Sequence, residues 1–353
     1  MAVQPAPGAP DGPASNERGY PAIERAVDPA VDPAEVDLSV EVAGVRFATP
    51  VLTASGCAAA GRELAPFLDV AAIGAVVTKS VMLDPRSGRA TPRMVETPSG
   101  MLNSIGLQGP GVDAFLSTDL PWLVEQGAQP VVSIAGGSLG EFAELARRVG
   151  AAPGVAAVEV NISCPNVENR GLVFACDPFQ AARVVSAVRR GIPKDIPVLA
   201  KLSPDVTDIV VVAAAVMEAG ATGLSMVNTT LGLAIDPVTL RPALGGVTGG
   251  LSGPAIRPLA LRCVWQVHAA MPEVPIVGIG GIRTGFDALE FLAVGASAVQ
   301  VGTVTFHDPS SPARVGEELR AELAARGAVS PREVVGVAHR PVVSLAHRQA
   351  ATA

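Results

Sequence analysis

Eight short runs of β-branched and small apolar residues recur along the chain: "PVLTAS" (50–55), "GAVVTKS" (74–80), "PVVSIAG" (130–136), "AAVEVNIS" (156–163), "PVLAKLS" (197–203), "GLSMVNT" (223–229), "PIVGIGG" (275–281) and "AVQVGT" (298–303). Between them lie stretches with helical spacing, such as "SLGEFAELARRV", "DPFQAARVVSAVRR", "DIVVVAAAVMEAG" and "FDALEFLAVG". Runs of strand length that alternate with helix-length segments are the signature of βα units on a parallel sheet. Eight of them over about 260 residues match the size of a (β/α)₈ barrel. A doubly wound open sheet is the alternative, but it concentrates its chemistry at one switch point. Here nearly every run ends in a polar residue or glycine, which distributes the chemistry around a ring of strand ends. The expected fold class is therefore α/β, a (β/α)₈ TIM barrel.

The flanks and insertions complete this plan. Residues 1–35 are rich in Pro, Ala, Asp and Gly and read as a disordered or loosely packed arm. "VDLSVEVAGVRFATP" alternates around Ala43-Gly44 and predicts a small N-terminal β-hairpin. Residues 36–340 are expected to form the barrel, and 341–353 a C-terminal tail. Two segments exceed ordinary loop length, 81–110 and 230–253. The second, with Asp236-Pro237 and Gly245-Gly246, suggests an inserted hairpin. Long insertions at the C-terminal face of a barrel build lids and substrate walls.

Several classes of function are disfavoured. Asp and Glu number 33 against 26 Lys and Arg, and no basic block appears, so no nucleic-acid partner is indicated. No basic segment followed by an apolar core opens the chain, and no run of about 20 apolar residues exists. The reading is therefore neither secreted nor membrane-bound, with a cytoplasmic location expected. Cys57, Cys164, Cys176 and Cys263 lie far apart without a CxxC pair, which signals neither a metal site nor a disulfide framework.

The strand ends hold the candidate chemistry. Ser55 closes the first run, Lys79 the second and Asn161 the fourth. Lys201 stands near the end of the fifth, and Asn228 with Thr229 closes the sixth. A single lysine there would more often snorkel or pair with a carboxylate. Two at equivalent strand ends, beside several asparagines, point to an anionic or polar ligand. "GIGGIRTGFDALE", with Gly280 and Gly281, is a strand, a glycine turn and a helix start, and "VGTVTF", with Gly302 and Thr303, repeats the theme. Bared backbone N–H groups there make a phosphate site, at its usual barrel location after strands seven and eight. This implies a phosphorylated ligand such as a flavin mononucleotide or a sugar phosphate.

Cys263, within the helical "PLALRCVWQVH", reads as a buried small hydrophobe, and so does Cys57. Cys176 has no clear role beyond a structural one. Cys164 fits that pattern poorly, because it follows a strand end on the catalytic face. All four histidines come late in the chain, which argues against a Cys–His hydrolase. A free thiol near 8.5 can instead serve as a base that removes a carbon-bound proton.

"ETPSGMLNSIGLQGPG", "NISCPN", "KLSPDVTDIV", "GGLSGPAIRPLAL" and "PIVGIGGI", in this order, resemble the dihydroorotate dehydrogenases from about Leu38 to Pro309. The chain looks most like the catalytic subunit of the NAD-linked class (1B). The resemblance implies FMN-dependent oxidation of dihydroorotate to orotate in pyrimidine synthesis. It also implies a partner subunit carrying FAD and a [2Fe–2S] cluster, and a homodimer or heterotetramer. Cysteine as the base, rather than serine, points away from the membrane-bound class. "NVENRGLVFACDP" resembles the NAD-linked rather than the fumarate-linked (1A) class. By analogy Cys164 is the catalytic base. Ser55, Lys79, Ser80, Ser133, Asn161, Lys201, Val227, Gly253, Gly280, Gly281, Gly302 and Thr303 match FMN contacts. Lys79, Asn103, Ser104, Ile105, Gly106, Leu107, Asn161, Asn228 and Thr229 match substrate contacts. No metal site is implied.

The chain departs from the family at Ser133, where asparagine is usual, in "CAAAG" after Ser55-Gly56, and at Cys176, where glycine is usual. Ser133 is the departure expected to shorten or remove a flavin contact. The competing readings are the fumarate-linked class, a dihydropyrimidine dehydrogenase-like flavoenzyme and a catalytically silent barrel. The second would need additional cysteine-rich domains, and the third would lack the lysine–asparagine–cysteine set.

Overall fold

The structure is a computed structural model that describes residues 31–163 and 176–341. All eight apolar runs become strands of one parallel sheet. In chain order, with the additional strands, these are β1 (Val40–Val42), β2 (Val45–Phe47), β3 (Val51–Thr53), β4 (Val76–Val77), β5 (Met94–Thr97), β6 (Gly100–Asn103) and β7 (Pro130–Ile134). They continue with β8 (Ala157–Asn161), β9 (Val198–Leu202), β10 (Gly223–Met226), β11 (Thr230–Gly232), β12 (Gly249–Ser252), β13 (Ile276–Ile279) and β14 (Ala298–Val301). The barrel order is β3-β14-β13-β10-β9-β8-β7-β4, and a parallel bridge from Leu52 to Ala75 closes the ring. Every residue of β7, β8 and β9 is buried, as a parallel sheet wrapped by helices requires. The expected (β/α)₈ barrel is the fold.

Strand alternation divides the core in two. One set of side chains, including Val158, Val160, Val198 and Ala200, packs outward on the helix layer through Leu145, Val184, Val188 and Val212. The other set, Leu52, Val77, Val131, Ala157, Leu199, Val277 and Ala298, fills the barrel bottom. The hairpin β1–β2 supplies Val40, Val42 and Phe47 to that inner cluster, so it plugs the N-terminal end. With the bottom filled by hydrocarbon, the described residues leave the large cavity at the C-terminal mouth.

The helices start where polar caps dictate. Asp177 accepts from Phe179 N at 2.9 Å before Pro178–Gly191, and Asp208 from Val210 N at 2.9 Å before Ile209–Glu218. Thr284 and Asp287 form a reciprocal capping box at the start of Gly285–Ala293. Each such cap stabilises its helix by about 1 kcal/mol.

The two long insertions are not separate loops. β5–β6 from residues 81–110 and β11–β12 from 230–253 combine into one antiparallel sheet, ordered β11-β12-β6-β5. Its central register pairs Gly250 with Asn103 and Leu251 with Leu102. This sheet roofs the barrel mouth. Within the expected arm, Pro33–Glu35 forms a single 3₁₀ turn, capped by Asp32. Among the described residues no helix is long and apolar enough to cross a membrane.

Candidate active site

A cavity of about 1370 Å³ lies between the strand ends and the roof sheet. On the strand-end side, four polar residues from four different strand ends hydrogen-bond in series. Ser133 Oγ and Ser80 Oγ are 3.0 Å apart, Asn161 Nδ2 donates to Ser80 Oγ at 3.0 Å, and Asn228 Nδ2 donates to Asn161 Oδ1 at 3.3 Å. Backbone N–H groups of Ser163 and Thr229 donate to the Asn161 and Asn228 side chains at 3.2 and 2.8 Å. Each amide is thereby held in one orientation by its neighbours.

The two lysines differ. Lys201 is buried, donates to Ser55 Oγ at 3.0 Å and pairs with Glu159 Oε1 at 3.3 Å. Lys79 is half-buried, and its Nζ lies 3.4 Å from where a side chain on Gly56 would begin. Burial holds Lys79 below the ordinary lysine value, and the charge of Lys201 adds to that depression. Cys57 lines the same cavity, and burial pushes its thiol up to about 11 despite both ammonium groups. Cys57 is therefore a cavity residue, not the core hydrophobe its sequence context suggests. Cys263 is fully buried, as expected, and the exposed Cys176 donates to Asp205 O at 3.6 Å.

The glycines form the other end. Gly253 and Gly281 both have left-handed φ, +87° and +72°. A Cβ on Gly281 would lie 2.7 Å from Gly253 O, and one on Gly253 would lie 2.8 Å from Gly100 Cα. Only glycine permits this approach. The N–H groups of Gly281, Gly302 and Thr303 donate to no acceptor among the described residues. A glycine cradle of free donors at one end, with two lysines and ordered amides at the other, fits a ligand with a phosphate tail and a polar planar head, as FMN has.

Ser55, Lys79, Ser80, Asn161, Lys201, Val227, Gly253, Gly280, Gly281, Gly302 and Thr303 all line this cavity. So do Asn103, Ser104, Ile105, Gly106, Leu107, Asn228 and Thr229. Ser133 does not: it is fully buried behind Ser80. Its short hydroxyl braces a cavity residue where the longer asparagine side chain usual in the family would reach further. Cys164 lies outside the described residues.

Sequence reading passed over Glu159 and Gln300. Both are buried, and Gln300 Nε2 donates to Glu159 Oε2 at 2.8 Å. The signal was present: a carboxylate inside the all-apolar "AAVEV", two positions before Asn161 and so on the same strand face, has to find buried donors.

The family model for dihydroorotate dehydrogenase matches residues 37–323. The "Dihydroorotate dehydrogenase B (NAD(+)), catalytic subunit" of Geobacter sulfurreducens is 51% identical over 300 residues, which is 85% of this chain and 97% of the relative. The proteins of the same name from Geotalea daltonii and Desulforudis audaxviator are 50% and 49% identical. These matches cover 86% and 87% of this chain, and 98% and 99% of the relatives. With its barrel, its roofed cavity and these matches taken together, the chain belongs to the dihydroorotate dehydrogenase family.

Proposed function

We propose that this chain oxidises dihydroorotate to orotate in pyrimidine biosynthesis, with FMN and substrate held in the cavity under the roof sheet. One observation carries the reading: apart from Ser133 and Cys164, every residue that matches a family contact lines that single cavity.

When bound, FMN supplies the acceptor for the hydride that leaves one ring carbon of the substrate. The chain's own residues do the rest. The N–H groups of Gly281, Gly302 and Thr303 hold the phosphate. Lys79 pairs with the substrate carboxylate, and its part-buried setting strengthens that pairing over one in bulk water. Asn161 and Asn228 offer amide groups to the amide edges of the pyrimidine, already oriented by their mutual hydrogen bond. Asn103 through Leu107, on the roof side, exclude water from the reacting face. Cys164 takes the proton from the neighbouring ring carbon, so that a carbon–carbon double bond forms as proton and hydride depart. Lys201 offers a positive charge where negative charge grows.

NAD⁺ is the proposed final acceptor, reached through a partner subunit that carries FAD and a [2Fe–2S] cluster. A homodimer or heterotetramer in the cytoplasm is the corresponding assembly. The test is purification of the chain alone and with its native partner. The expected result is a yellow protein that reduces NAD⁺ with dihydroorotate only when the partner is present. A flavin that passes its electrons directly to fumarate would replace the NAD-linked reading with the fumarate-linked one. A colourless protein that takes up no FMN would remove the enzymatic reading.

A further inference from the structure

Three buried side chains from three strands form a unit beneath the cavity. Glu159 on β8 is fully buried; its Oε1 accepts from Lys201 Nζ at 3.3 Å and its Oε2 from Gln300 Nε2 at 2.8 Å. Lys201 and Gln300, at 3% and 1% exposure, both line the cavity, while Glu159 does not. The carboxylate is thus divided, one oxygen to each cavity residue. With its nitrogen committed to Glu159, the Gln300 amide leaves Oε1 without a partner among the described residues. A buried ion pair is tolerated only where further hydrogen bonds complete it, and Gln300 and Ser55 do so here.

We propose that Glu159 is a positioning residue for the cofactor site. It holds the Lys201 ammonium and the Gln300 amide in place, offsets the Lys201 charge, and thereby sets the reduction potential of the flavin. The inference rests on the FMN reading above. A flavin gains electrons on reduction, so its reduced form responds to the net charge around it. With Glu159 present, the carboxylate offsets part of the Lys201 charge. Without the carboxylate, an unbalanced cation remains beside the cavity and favours the reduced form.

The test is the midpoint potential of FMN bound to wild type, Glu159→Gln, Lys201→Met and the double variant. Glu159→Gln is expected to shift the potential positive and Lys201→Met to shift it negative. The double variant loses both charges together and is expected to return towards wild type. A wild-type potential in flavin-loaded Glu159→Gln would overturn the proposal. If Glu159→Gln alone does not retain flavin, the other pair decides. The double variant must then lie positive of Lys201→Met, and equal potentials would overturn the proposal. Failure of the wild type to bind FMN would instead sink the reading beneath it.

Discussion

The floor and the roof of the cavity are built on opposite terms. The floor consists of strand ends whose polar groups are buried and, Gln300 Oε1 apart, bonded to one another: Glu159, Lys201, Gln300, Asn161, Ser80 and Ser133 are each at most 9% exposed. The roof is a sheet from two insertions, and its outer part leaves Leu231, Val238 and Leu240 68%, 88% and 77% exposed. The floor is anchored by eight strands and the helix layer. The β6–β12 ladder joins the two insertions to each other, and Asp205, on the loop after β9, links them to the barrel: its carboxylate accepts from Leu231 N at 2.8 Å and from Thr230 Oγ1. The floor supplies prealigned groups, and the roof covers the cavity above them. Electrostatic and orienting work falls to the floor, and the covering of the cavity to the roof.

The largest expected effect tests the floor. Lys79→Met removes the cation proposed for the substrate carboxylate, so kcat/KM for dihydroorotate falls by roughly 10²–10³-fold in protein loaded with FMN. Steady-state kinetics on flavin-loaded protein decide this, and a change under tenfold would break the assignment. Next comes the glycine cradle. Gly281→Ala combines a left-handed φ with a Cβ 2.7 Å from a carbonyl oxygen. It should cost about 1–3 kcal/mol of stability and weaken FMN binding at least as much. Unchanged FMN titration and melting would show that the cradle is not tightly built.

Smaller effects separate roof from floor. Asp205→Ala removes two hydrogen bonds to the roof strand, about 1 kcal/mol each. It should raise KM for dihydroorotate several-fold with little change in the rate of flavin reduction; a loss confined to that rate would contradict a roof role. The smallest effect concerns pH. Lys79 is held below its ordinary value by burial, so in the apo-protein its burial costs stability while it is charged. Stability from this group rises as pH passes upward through the folded value towards 10.5, the ordinary one. Apo Lys79→Met should therefore resist urea better than wild type at neutral pH, with the gap closing as pH rises. A gap that widens with pH would contradict the sign.

The same division explains what could be read in the sequence. The strands, the plugging hairpin and the glycine cradle follow from local rules, a period of apolar runs and glycine at strand ends. Lys79, Lys201 and Asn161 stood out because they end such runs. The roof was less legible: Asn103 and Gly250 pair across 147 positions, and nothing local in either insertion states that partner. Glu159 and Gln300 were hidden for another reason. Each interrupts an apolar strand once, and only closure of the barrel brings β8, β9 and β14 together. The position of Ser133 behind Ser80 likewise depends on the closed barrel, since β4 and β7 pair across the loops between them.

The most direct measurement of the central claim is anaerobic rapid mixing of dihydroorotate with the FMN-loaded chain, for wild type and Cys164→Ala. The account predicts that wild type bleaches its flavin in a single turnover and that Cys164→Ala keeps its flavin but bleaches about 10²–10⁴-fold more slowly. A wild-type flavin that stays oxidised, or equal rates in the two proteins, would contradict it.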